Sequence, residues 1–182
     1  LHVPERLDPT HSRHLGREIR EGLSWVYTHR TLAPLAITSH TWFLFNGMAM
    51  TVLALFVYRE LGYSDFLFGL TLAAVGIGGV AGSSLSAQAV QRLGSGRTII
   101  AGRCLTPVAY ALIPFATTGT PGMALVFAGQ FLLGMSIGLP GPAEMGYRQT
   151  VTPDRLQGRM NATMRSLNRG MIVLGAPIGG LL

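Results

Sequence analysis

From Ala33 to Tyr58 the chain contains no Asp, Glu, Lys or Arg, a run long enough to cross the hydrocarbon core of a bilayer with some tilt. Further apolar runs follow at about Phe66–Val90, Thr98–Thr117 and Met123–Tyr147. Backbone amides inside hydrocarbon must bond one another, so runs of this length are expected to be helices. Only 12% of the 182 residues are charged, about half the share in an average soluble domain. The fold class expected is therefore all-α, a polytopic transmembrane helical bundle.

What lies between the runs orients them. All fourteen basic residues are arginine. Tyr147–Gly170 carries five of them (Arg148, Arg155, Arg159, Arg165, Arg169) against the single acid Asp154. With the leader, the Gln91–Arg97 turn and the nearby Arg103 on the same side as this segment, thirteen arginines share one face and Arg59 stands alone on the other. An asymmetry of this kind predicts that the arginine-rich connections are cytoplasmic, in a plasma (inner) membrane. The net charge of +6 then reads as attraction to anionic lipid headgroups. Nucleic acid is excluded as a partner, since no arginine stripe lies on a foldable soluble domain.

Two regions are expected. Residues 1–32 form a cytoplasmic linker with an interfacial helix, in which Leu15, Ile19, Leu23 and Val26 oppose Arg17, Glu18, Arg20 and Glu21, with Trp25 and Tyr27 at its end. Residues 33–182 form the transmembrane part, with spans at about 33–58, 66–90, 98–117, 123–147 and 170–182. The last is expected to be incomplete, being shorter than the ~20 residues a span requires. The basic segment has its own helix signals: Thr152 as N-cap, Pro153 at the first helical position and Asp154 at the positive end of the dipole. Leu156, Met160, Met164 and Leu167 recur at helical spacing. A short amphipathic helix on the inner leaflet is expected there, before the chain re-enters the bilayer. Arg155 and Arg159 repel mildly unless lipid or an acid elsewhere compensates them.

Gly76–Gly82 superficially matches a dinucleotide-binding glycine run, but that fingerprint needs a preceding strand and an acid about 20 residues on. The next acid is Glu144. Small residues spaced for close helix contact explain the run better. The five histidines are scattered without metal-ligand spacing, and the one cysteine, Cys104, sits in an apolar run. No catalytic residue, metal site or cofactor is expected.

The run from Ala87 to Arg97 is similar to the loop motif (Gly-x-x-x-Asp-Arg-x-Gly-Arg-Arg) of the major facilitator superfamily, with Arg92, Gly94 and Arg97 matching approximately. Gln91 stands in place of the family's acid, and Ala87 in place of its first glycine. The later stretch Arg148-Gln149, Thr152-Pro153-Asp154-Arg155-Leu156, Gly158-Arg159 and Asn161-Ala162-Thr163 resembles the tenth-to-eleventh-helix loop of the branch holding bacterial macrolide, drug and enterobactin exporters. Arg17–Leu23 resembles that branch's central linker. The resemblance implies the C-terminal half of a twelve-helix secondary transporter, from its seventh to its eleventh helix, partnered by the N-terminal half of the same transporter. It implies proton-coupled export of a small, largely apolar compound by alternating access. The loop residues it singles out are Arg92, Gly94, Arg97, Asp154, Arg155 and Arg159. Gly175–Gly180 echoes the family's antiporter motif, one residue short.

Within the spans, polar groups are the functional candidates, because unpaired they are expensive in lipid. Glu144, behind the Pro140-Gly141-Pro142 break, is the proton-coupling candidate; its alternative is an ion pair with Arg148, four residues on. Arg103 is expected to snorkel to the inner interface. Asn46 near mid-membrane, with Phe43 and Met50 on its face, and Gln130 in the fourth span are substrate-cavity candidates. Their alternative role is interhelical hydrogen bonding. A polytopic membrane enzyme or a non-transporting scaffold or sensor are the rival readings.

Overall fold

The computed structural model describes residues 15–181, and every regular element among them is helical. The part of the expected linker before Leu15, with Arg6, Arg13 and three of the five histidines, lies outside the described residues. The helices are α1 (Leu15–Thr28), α2 (Leu32–Arg59), α3 (Asp65–Leu93), α4 (Ser95–Leu112, continued by a 3-10 turn, Ile113–Phe115), α5 (Thr120–Gly138), α6 (Pro140–Val151) and α7 (Asp154–Gly180). Four segments are long and apolar enough to cross a membrane: Leu32–Arg59, Asp65–Leu93, Ser95–Phe115 and Thr120–Val151, the last being α5 and α6 together. Ile77, Val80, Ile100 and Val173 are each at least 65% exposed. An outer surface of this kind suits hydrocarbon rather than water.

Each connection has a local cause. After α2, Gly62 takes φ +65, a left-handed value that glycine adopts without penalty. The chain there folds back so that the Leu61 and Tyr63 amides donate to the Phe56 and Val57 carbonyls. Ser64 then caps α3, its hydroxyl accepting from the Leu67 amide, with Asp65 in the first turn. Gly94 alone separates α3 from α4, at φ +82. Between α5 and α6 only Leu139 intervenes, where Pro140 interrupts the backbone bonding.

The helices pack in two groups. α2 lies along α7, with α1 laid against both, while α3 and α4 pack on α5 and α6. Small residues set both long contacts. A Cβ at Gly78 or Gly82 of α3 would strike the backbone at Phe131 or Met135 of α5 or at Leu139 just after it, and one at Gly134 or Gly138 would strike α3 at Val75 or Gly79. Gly47 of α2 meets Ile172 and Ala176, and Gly175 and Gly179 of α7 meet Leu44 and Met48. Gly175–Gly180 is thus packing surface for α2, and the Gly76–Gly82 run meets α5 through Gly78 and Gly82.

Between the groups, contact is made mainly by side chains. At the end bearing the α2–α3 turn, Leu53 and Val57 cluster with Leu61, Tyr63, Ile113, Ala116 and Val126. At the opposite, arginine-rich end, Tyr147 donates to the Thr31 hydroxyl at 2.7 Å and Trp25 Nε1 to that of Thr152 at 3.3 Å.

Two expectations about the basic segment are corrected. Thr152 does not cap a helix: α7 begins at Asp154 with no side-chain cap, and the Thr152 hydroxyl serves Trp25. Nor is there a separate helix on the leaflet. α7 runs unbroken from Asp154 to Gly180, about 40 Å, because nothing between Arg159 and Gly170 breaks helical bonding.

Candidate functional site

The charged residues within the spans, Arg103 and Glu144, meet at the arginine-rich end, where α2, α4, α6 and α7 come together. Packing places them. Gly102 of α4 leaves room for the Pro140 ring, which a Cβ there would strike. This seats the start of α6 against α4, so Glu144, one turn beyond Pro140, faces Arg103, the residue after Gly102. Arg103 Nη2 donates to Glu144 Oε1 at 2.6 Å. The glutamate is 8% exposed, and its neighbour Arg148 donates from Nε to the Glu144 carbonyl at 3.3 Å. The guanidinium of Arg103 also stacks over Trp42 of α2, 5.5 Å from the ring centroid. These contacts tie a charge on one helix group to a ring on the other.

A cavity of about 160 Å³ opens beside this pair, lined among others by Ser39, Phe43, Arg148 and Asn168. On its α2–α7 side the Asn168 carbonyl oxygen lies 2.6 Å from His40 Nδ1 and accepts from the Ser39 hydroxyl at 3.4 Å. Two guanidiniums, one carboxylate, an amide and an indole thus line one small volume, with the His40 imidazole behind the amide. Such a cluster can hold a proton, exchange ion-pair partners or bind a small polar group.

The sequence candidates fall in different places. Glu144 is in the cluster, but its partner is Arg103 rather than the side chain of Arg148. Arg103 is held by the carboxylate and by Trp42. Phe43 lines the cavity. Asn46 accepts a hydrogen bond from the Tyr110 hydroxyl at 2.7 Å, joining α2 to α4. Met50 packs against the apolar cluster at the far end. Between Asn46 and that end lies an apolar groove of about 550 Å³ along α2 and α4, lined by Phe45, Val52, Phe56 and Tyr110 among others. Gln130 of α5 is fully buried, with neither amide atom bonded among the described residues. It lines neither the cavity nor the groove.

The loop residues form two separate sets. Arg92 and Arg97 are exposed on either side of the Gly94 turn and make no ion pair among the described residues. Asp154 accepts from Gln157 Nε2 at 3.0 Å. Arg155 and Arg159 both reach Glu21 of α1, Arg155 at 3.0 Å, and Arg159 also approaches Glu18 at 3.6 Å. The acid that relieves their repulsion therefore comes from the linker helix. His40, Trp42, Asn168 and Tyr110 were missed as site residues. Nothing in the local spacing marks any of them, and only the crossing of helices shows its partner.

Apolar helices passing to and fro, with a charged pair enclosed among them, define a multi-pass α-helical membrane protein. Comparison with known families narrows the class. The chain belongs to the Major Facilitator Superfamily, whose family model matches residues 22–182. It is 25% identical over 147 residues to an uncharacterized MFS-type transporter, YceJ, of Bacillus subtilis (strain 168), an alignment covering 72% of this chain and 35% of the relative. The chain thus spans about a third of the length of that curated relative. No solved structure matches it. The family's name and that of the relative are those of membrane transporters.

Proposed function

We propose that the chain is part of a secondary active transporter of the bacterial drug, macrolide and siderophore exporter type, moving a small, largely apolar compound by alternating access. In this reading the arginine-rich connections face the cytoplasm of a bacterial cell, and the N-terminal half of the same transporter supplies the opposite wall of the path. The coupling ion is the proton and its carrier is Glu144. The observation that supports this is the buried pair of Glu144 and Arg103, set beside a cavity at the seam between two helix groups.

A proton on Glu144 removes the charge that holds Arg103. The guanidinium keeps its stacking on Trp42, so the link within the α3–α6 group weakens while the link across the seam persists. Protonation therefore changes which helices are tied together, as a coupling step requires. Phe43 and Asn46 on the α2 side of the seam are the proposed contacts for the transported compound.

The test is proton movement in proteoliposomes holding the full-length transporter. Addition of a transported apolar compound is expected to drive proton flux, and E144Q to abolish the flux while leaving compound binding measurable. Absence of compound-dependent proton movement across a broad panel of apolar drugs and siderophores would overturn the reading.

A further inference from the structure

We propose that the groove between α1 and the start of α7 is a binding site for the headgroup of an anionic phospholipid. The groove has a volume of about 950 Å³, and four of its lining residues are arginines: Arg17 and Arg20 from α1, Arg155 and Arg159 from α7. Against them, among the described residues, the lining holds one acid, Glu21. On α1 the lining positions Arg17, Glu21, Ser24 and Thr28 follow one helical face, so the charges and hydroxyls face one volume.

The charges are not equally engaged. Arg155 and Arg159 are paired with Glu21, and Arg159 with Glu18 as well. Arg17 and Arg20 are exposed and make no ion pair among the described residues. The groove therefore keeps a positive excess after its internal pairs are made. Guanidinium clusters of this kind match phosphate oxygens in geometry as well as charge. Trp25 closes one side with an indole, a ring suited to the headgroup level of a bilayer.

The source of the phosphate follows from what adjoins the groove. Arg159 also lines a second, mostly apolar groove of about 340 Å³, with Leu15, Ile19, Ala162 and Leu167. Leu15 and Ile19 are 69% and 52% exposed. A ligand spanning both grooves has an anionic head and a hydrocarbon tail. This is the chemistry of an acidic lipid rather than of free phosphate. The proposal does not rest on transport or on Glu144.

Native mass spectrometry of the full-length protein, released from detergent containing phosphatidylglycerol or phosphatidylcholine, tests it. Phosphatidylglycerol is expected to be retained and phosphatidylcholine lost. R17Q/R20Q is expected to weaken retention roughly tenfold or more, without disturbing α1, because neither arginine takes part in the ion pairs that dock it. I19S is expected to weaken lipid retention through the apolar groove alone. Equal retention of both lipids, or no effect of R17Q/R20Q, overturns the proposal. Binding of inorganic phosphate, lowered by R17Q/R20Q but not I19S and without lipid retention, also overturns it and assigns the groove to a soluble phosphate.

Discussion

At the scale of single residues, the pair of Arg103 and Glu144 carries the most consequence. Removing Arg103 leaves Glu144, 8% exposed, as an uncompensated buried ion at a cost of about 3–5 kcal/mol. Removing Glu144 costs less, because the Arg103 side chain is 32% exposed. R103Q and E144Q are each expected to lower the thermal unfolding temperature of the full-length protein, whereas the double variant is expected to lose less than the sum of the two. A double-mutant cycle measured by thermal unfolding in detergent reads this directly, and additive losses would show that the pair does not act as a unit. The Tyr110–Asn46 hydrogen bond is a contrasting case. Y110F is expected to cost only about 0.6 kcal/mol in the same assay, typical of one polar bond between helices in a membrane. Glu144 stood out in the sequence as a lone acid in an apolar run. Its partner did not, because Arg148 sits one helical turn away along the chain and Arg103 is 41 positions distant. Helical spacing reports neighbours on one helix and is silent about the helix opposite.

Elements show the same division. The glycines of α3 were legible as contact surface, since small residues in an apolar helix permit close approach. Which helix approaches was not, because Gly134 and Gly138 on α5 and Gly175 and Gly179 on α7 offer equivalent surfaces. The structure pairs α3 with α5 and α2 with α7. It also distinguishes glycines two residues apart. A Cβ at Gly76 meets nothing within 4 Å, whereas one at Gly78 would overlap the Phe131 carbonyl. G76A is therefore expected to be neutral or slightly stabilising, as alanine is the better helix former. G78A is expected to force α3 away from α5 and reduce the yield of monodisperse protein in fluorescence-detected size exclusion. Similar behaviour of the two variants would place α5 elsewhere. The α6–α7 connection marks where local signals mislead. Thr-Pro-Asp reads as a helix start, and α7 does begin at Asp154, but burial of Thr152 beneath Trp25 takes the expected capping oxygen for another donor.

For the whole molecule, the ordering of helices was legible while their grouping was not. Alternating apolar runs and connections imply helices that reverse direction, and the thirteen arginines that the sequence assigns to one side are what would orient them. That α2 and α7 form one packing group and α3 to α6 another depends on side-chain contacts that no periodicity reveals. The orientation has a direct consequence for accessibility. If the arginine-rich connections share one face, as the sequence predicts, the α2–α3 turn and the first turn of α7 are expected on opposite faces of the membrane, because the crossings of α3, α4 and α5–α6 separate them. Thiols test this in a protein freed of Cys104 by substitution to serine. Glu60 is a better site than the neighbouring Gly62, whose φ of +65 disfavours any side chain. Gln157 is partly exposed beside Asp154 on α7. In intact cells a membrane-impermeant maleimide is expected to label E60C and to spare Q157C until the membrane is opened. Labelling of both before lysis would mean that an odd number of crossings does not separate them, and the arginine asymmetry would then have no bilayer to account for it.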